Sequence, residues 1–140
     1  MTLTHLEREY LAGQALGRLA TVRPDGSPQN NPVGFTYDPV AGTVDITGRA
    51  MGQTAKFRNV AGNGQVALVV DDVASLDPWT VRGVEMRGRA EALCDQEPSS
   101  SYASRELIRI HPRRVISWGI DPATPGMSGR DVEAPSRRAQ

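Results

Sequence analysis

The chain has 140 residues, enough for one domain around a single hydrophobic core. Its 16 basic and 16 acidic side chains cancel, so no global field draws it to nucleic acid or to an anionic membrane. Aromatic residues make up only 5%, and 14 glycines with 10 prolines suit short strands and turns better than long helices. No apolar run is long enough to span a bilayer, and the start, MTLTHLEREY, lacks the apolar core of a signal peptide. A soluble, cytoplasmic protein is the expectation. The single cysteine, Cys94, excludes an internal disulfide, offers no zinc pattern and reads as a thiol at a strand end.

The first element is a short helix. Thr4 and Glu7 have capping-box spacing, Leu6, Tyr10 and Leu11 share a face, and Gly13 can end it. Gly17 to Val22 is extended, and Pro24-Asp25-Gly26 forms a turn. Gln29 to Tyr37 reads as the partner strand, with Gln29, Asn31, Val33, Phe35 and Tyr37 on one side. Pro32 inside that run argues for an edge, a bulge or a break. Thr43 to Gly48 alternates, with Val44 and Ile46 facing one way. A helix is expected from about Gln53 to Ala61, closed by Gly62.

The run Val66 to Val70 suits a strand buried on both faces, closed by Asp71-Asp72, with a loop to Pro78. Trp79 to Leu93 is the longest strand. Val84, Met86, Gly88, Ala90 and Ala92 face one way, and Glu85, Arg87, Arg89 and Glu91 the other. Ser99 to Ile110 reads as helix with Pro98 near its first position, and Arg114 to Ile120 as a final strand. Residues 121–140 form a Pro-, Gly-, Ser- and Arg-rich tail, expected to be mobile or draped over a partner. About six short strands with few helices predict a small, mostly β barrel over residues 1–120. Helices do not alternate with strands and no G-x-G-x-x-G or Walker loop occurs, so a Rossmann-type fold is not expected.

Two constellations carry chemistry. Lys56 is the only lysine, and it falls in the first turn of the second helix, where unpaired N–H groups and the helix dipole favour an anion. A compact ammonium there suits a phosphate, with Thr54 adding a hydroxyl and Arg49 close by at the end of the preceding strand. An exposed, merely solvated helix start would use the same residues. The second constellation is Gln29-Asn30-Asn31-Pro32-Val33, three amides in a row at a strand start. They can read the heteroatoms of a flat ring with Val33 against its face, or simply form a polar turn exit. No catalytic side chain is evident. His5 and His111 have no triad or metal arrangement around them, Asp71-Asp72 and Glu85/Glu91 read as turn and surface residues, and Trp79 and Trp118 read first as core. A cofactor that carries the reaction would explain this.

The segments LGRLATVRPDGSPQNNPVGFTYD, TAKFRNVAGNGQVALVVDD, DPWTVRGVEMRGRAE and RRVISWGI, spread from Leu16 to Ile120, resemble the pyridoxamine 5′-phosphate oxidase-like split β-barrel superfamily. Within it the chain is most similar to the small flavin/deazaflavin oxidoreductases that use coenzyme F420. The resemblance implies a homodimer with two cofactor sites at the subunit interface. It places phosphate contacts at Arg49, Thr54 and Lys56 with Gln53 and Phe57 adjacent, and the ring along Asn31, Pro32 and Val33. Trp79 and Arg114 would reach in from the partner subunit. The late arginines do not form the family's pyridoxal-phosphate substrate site. The implied activity is hydride transfer from reduced F420 to an electron-poor small molecule. An FMN-dependent reductase or oxidase of the same fold, and a non-catalytic flavin or deazaflavin carrier, are the alternatives.

Overall fold

The computed structural model describes residues 2–132. Helix α1, His5–Ala12, starts on the expected capping box: Glu7 N–H donates to Thr4 Oγ1 at 3.1 Å, and Thr4 N–H donates back to Glu7 Oε1 at 2.9 Å. Eight strands follow: β1 Gly17–Val22, β2 Pro28–Val33, β3 Thr36–Asp38, β4 Thr43–Ile46, β5 Gln65–Leu76, β6 Trp79–Leu93, β7 Leu107–Trp118 and β8 Met127–Asp131. Between β4 and β5 lie a 3-10 turn, Met51–Gln53, and helix α2, Ala55–Gly62.

All pairings are antiparallel, in the order β2-β1-β5-β6-β7-β4-β3, with β8 added to β7. The two edges of that order, β2 and β3, are consecutive in the chain and joined only by Gly34 and Phe35. The sheet must therefore curl until its edges approach at that corner, which gives a split barrel. Leu19, Val44, Ile46, Leu68, Val70, Val84, Met86, Ile108, Ile110 and Val115 fill its interior. Each contributes about 1.5–3 kcal/mol by leaving water. Leu3, Tyr10 and Leu11 join this core from the N-terminal segment, and Met51, Phe57 and Val60 from around α2.

Several expectations are corrected. The run Gln29 to Tyr37 is two strands, and Pro32 sits on the sheet edge, where its missing N–H costs no ladder bond. Asp71 and Asp72 do not end β5, because each carboxylate has a guanidinium. Arg18 Nη1 lies 2.6 Å from Asp71, and Arg82 grips Asp72 with two bonds of 3.1 and 2.6 Å. The strand runs on to Leu76 and turns at Asp77-Pro78. Val66, Leu68 and Val70 are buried, but Ala67 and Val69 on the opposite face are half-exposed, so β5 is not covered on both sides in the single chain.

Ser99 to Ile110 is not a helix. Residues 94–106 form a loop in which Ser100 Oγ accepts from the N–H groups of Tyr102 and Ala103, a local bond that competes with helix formation. Leu107 to Ile110 begin β7, held between β6 and β4. The segment expected to be a tail contributes β8 as far as Asp131. Residues 133–140, including Arg137 and Arg138, lie outside the described residues. Cys94 is a free, exposed thiol just after β6, as expected.

The β6–β7 ladder shifts register between Arg87 and Gly88, skipping Arg113, whose carbonyl accepts instead from Val132 N–H at 2.8 Å. At that bulge a Cβ on Gly88 would collide with the His111 carbonyl, a backbone atom that cannot swing away. Gly88→Ala is expected to lower unfolding free energy by about 1–3 kcal/mol. A urea titration checks this, and an unchanged midpoint would show that the bulge can relax.

Candidate functional site

The sequence motif around Lys56 folds as a cradle. Thr54 is the N-cap of α2: its Oγ1 accepts from Phe57 N–H at 3.3 Å and donates to Met51 C=O at 2.7 Å. Arg58 N–H makes the first helical bond, to Thr54 C=O, so the N–H groups of Ala55 and Lys56 precede the ladder and face outward to any acceptor. Lys56, half-exposed at the second helical position, makes no ion pair or hydrogen bond among the described residues. Arg49 is exposed and has no carboxylate partner among them; its guanidinium lies over the Tyr102 ring, 5.5 Å from the centroid. Gln53 is exposed, and its carbonyl accepts from Arg58 Nη1 at 2.9 Å.

The loop 94–106 fastens this segment. Ser104 N–H donates to Gly48 C=O at 2.8 Å, and Met51 N–H donates to Ser104 Oγ at 3.0 Å. Glu106 Oε1 accepts from Gly52 N–H at 3.3 Å, so this turn already offers an N–H to an anionic oxygen. Two cations without acidic partners among the described residues and a capped helix start with N–H groups outside the helical ladder suit the phosphate of a flavin-type cofactor, while the Gly52 N–H is already taken by Glu106.

Arg49, Gln53, Thr54 and Lys56 thus follow one another along a short segment from the turn after β4 into the first turn of α2. Thr54 acts first as a cap, with its hydroxyl proton committed to Met51. Phe57 belongs to the core at 9% exposure. On β2, Asn31 is half-buried, Pro32 exposed and Val33 buried. Of the amide run, Gln29 is committed: its Oε1 accepts from Asn59 Nδ2 at 2.7 Å, and Asn59 Nδ2 also donates to Thr21 Oγ1 at 3.1 Å. This network ties β1 and β2 to α2, and so ties the suggested ring wall to the cradle.

Trp79 and Arg114 stand apart. Trp79 is 66% exposed at the end of the β5–β6 hairpin, not core, and Arg114 Nη1 pairs with Asp131 at 2.8 Å. No hydrogen bond, ion pair or ring contact joins either to residues 49–57 among the described residues. Trp118 packs across Gly83, where a Cβ would strike its ring. His111 lies within β7, with Nε2 2.6 Å from Glu91 Oε2. Sequence reasoning missed Asn59, Tyr102, Ser104 and Glu106. The last three sat in the supposed helix, and an aromatic in a Ser-rich stretch was the only local signal. No group of three or more His, Cys, Asp or Glu that could hold a metal occurs among the described residues, and no helix there is long and apolar enough to cross a membrane.

The sequence pattern of the family described as "Pyridoxamine 5'-phosphate oxidase" matches residues 3–133. The 5a,11a-dehydrotetracycline/5a,11a-dehydrooxytetracycline reductase of Streptomyces rimosus subsp. rimosus is 48% identical over 136 residues, covering 96% of each chain. Among solved structures, one described as an F420 reductase is 27% identical. It covers 81% of this chain and 98% of its own, with a TM-score of 0.61. A conserved hypothetical protein of Mycobacterium tuberculosis shares the fold at 22% identity, with coverage of 90% and 91% and a TM-score of 0.67. With its split barrel and a pattern match from residue 3 to residue 133, this chain belongs to the pyridoxamine 5'-phosphate oxidase family.

Proposed function

We propose that the protein is an F420-dependent reductase acting on a carbon–carbon double bond conjugated to oxygen functions in a polycyclic acceptor of the dehydrotetracycline kind. The observation that carries this reading is the pair of cations without acidic partners among the described residues, Lys56 at the capped start of α2 and Arg49 in the turn before it. The 48% identity to a dehydrotetracycline reductase supports the acceptor class, and the 27% identity to an F420 reductase supports the cofactor. When bound, reduced F420 would supply the hydride to one carbon of the double bond, and water would supply the proton to the other. Lys56, Arg49 and the N–H groups of Ala55 and Lys56 would hold its phosphate. Asn31, Pro32 and Val33 would line the ring, and Gln29 with Asn59 would keep β2 in position. The chain's own contribution is orientation of donor and acceptor, the component that raises rate without an acid–base residue.

The working unit in this reading is a homodimer, with Trp79 and Arg114 delivered to the second copy's cofactor. Support comes from the hairpin of β5 and β6, where Leu76 pairs with Trp79 and Val73 with Val81, all four exposed. An apolar strip of this kind on a small chain calls for a cover.

Side-by-side fluorescence titration with F420 and with FMN tests the cofactor. Much tighter F420 binding is expected. Tighter FMN binding would move the protein to an FMN-dependent reductase or oxidase, and binding of neither would remove the reading. Binding of F420 without reduction of any dehydrotetracycline-type acceptor would leave a carrier.

A further inference from the structure

A groove of about 640 Å³ runs between α1 and β3. That volume falls in the range of small-molecule sites. Its walls are largely apolar, with Leu11, Phe35, Tyr37 and Pro39 around Arg8. Two buried side-chain polar atoms among the described residues have no hydrogen-bond partner, Arg8 Nε and Tyr37 Oη, and both belong to residues that line this groove. Buried donors without acceptors are rare, because desolvation is not repaid.

Among the described residues no carboxylate pairs with Arg8, although Glu9 also lines the groove. Glu9 is held by His5 at 2.9 Å, Glu7 by Arg130, and Asp38 accepts from the N–H groups of Val40 and Ala41. Arg8 Nε can only donate, and Tyr37 Oη can donate. The partner they lack is an acceptor, and the uncompensated guanidinium makes a negatively charged one the better match. Phe35 and the Tyr37 ring suit a flat apolar body behind that oxygen.

We propose that this groove is a second ligand site, for an aromatic or polycyclic organic anion whose carboxylate or enolate oxygen is received by Arg8 and Tyr37. No residue of the 49–57 cradle lines it, so the proposal stands whether or not the protein uses F420.

The test is calorimetric titration of the full chain with 2-naphthoate, beside the neutral naphthalene-2-carboxamide. One saturable site per chain is expected for the acid, with the amide at least tenfold weaker. Arg8→Gln should weaken the acid at least tenfold and Tyr37→Phe several-fold, with circular dichroism and melting temperature unchanged. Should Arg8→Gln fail to fold, Tyr37→Phe and Arg8→Lys give the same reading. No saturable binding, equal binding of acid and amide, or wild-type affinity in the folded variants would overturn the proposal, as would displacement of 2-naphthoate by FMN or F420. Displacement by oxytetracycline would identify the groove as the seat of a polycyclic enolate, and its failure to displace bound 2-naphthoate would identify a site for smaller aromatic acids.

Discussion

Arg130→Met is expected to lower the unfolding free energy by about 3 kcal/mol, the low end of the range for stranding one member of a buried ion pair, because Arg130 itself is 35% exposed. Arg130, on β8, reaches α1 and holds both oxygens of Glu7 at 2.6 and 2.9 Å, while Nη2 also donates to Thr2 C=O at 2.9 Å. Glu7 is only 2% exposed, so methionine would leave its carboxylate buried with the Thr4 N–H and no cation. The pair joins residues 123 positions apart and ties the last described strand to the first helix. A urea titration measures the loss, and a change under 1 kcal/mol would show that water reaches Glu7 and replaces the guanidinium.

The same pair sets an acid limit. Burial alone would raise the Glu7 carboxyl, but the Arg130 hydrogen bonds, the Thr4 N–H and the Arg130 charge outweigh it and hold the group below its ordinary value of 4.5. A carboxyl depressed in the folded state contributes stability that is fully present above its unfolded value. That contribution is lost as pH falls through the lower folded value. The wild type should therefore lose stability as pH drops below about 4.5, and Arg130→Met should lose less over the same interval. Parallel pH profiles would assign the acid sensitivity to other groups.

What the sequence made legible was local. The α1 cap needs only Thr4 and Glu7, three residues apart, and the β6 alternation is carried by the single stretch from Val84 to Ala92. The α2 start was readable for the same reason, since Thr54, Lys56 and the outward N–H groups lie within one turn. What failed depended on partners far along the chain. Pro98 followed by serines imitates a helix start, but Leu107, Ile108 and Ile110 are claimed by β4 and β6. Asp71 and Asp72 look like strand terminators until Arg18 and Arg82 are seen beside them. Tyr102 and Glu106 lie some fifty residues after the turn they serve, and no periodicity announces that they belong to it. Gln29 shows the intermediate case: its run of amides signalled hydrogen bonding, and only the fold identifies Asn59 as the partner.

Lys56→Ala should weaken cofactor binding by about 1.5–3 kcal/mol, roughly 10- to 150-fold in Kd, the scale of a charge-assisted hydrogen bond. Folding should be nearly untouched, because Lys56 has no partner among the described residues and alanine is at least as good a helix former. That separation makes the variant informative: the loss would belong to the ligand and not to the scaffold. Lys56→Arg should lose less, since it keeps the charge but spreads it over a planar fork in place of a compact ammonium. An unchanged Kd in a folded Lys56→Ala protein would sink the phosphate assignment. The variant also divides the two cofactor readings. FMN and F420 share a phosphate but differ in what lies beyond it, so a common factor of loss for both would place Lys56 on the shared group. Discrimination would then rest with other cations, and Arg49, held among the described residues by the Tyr102 ring alone, is the first to exchange.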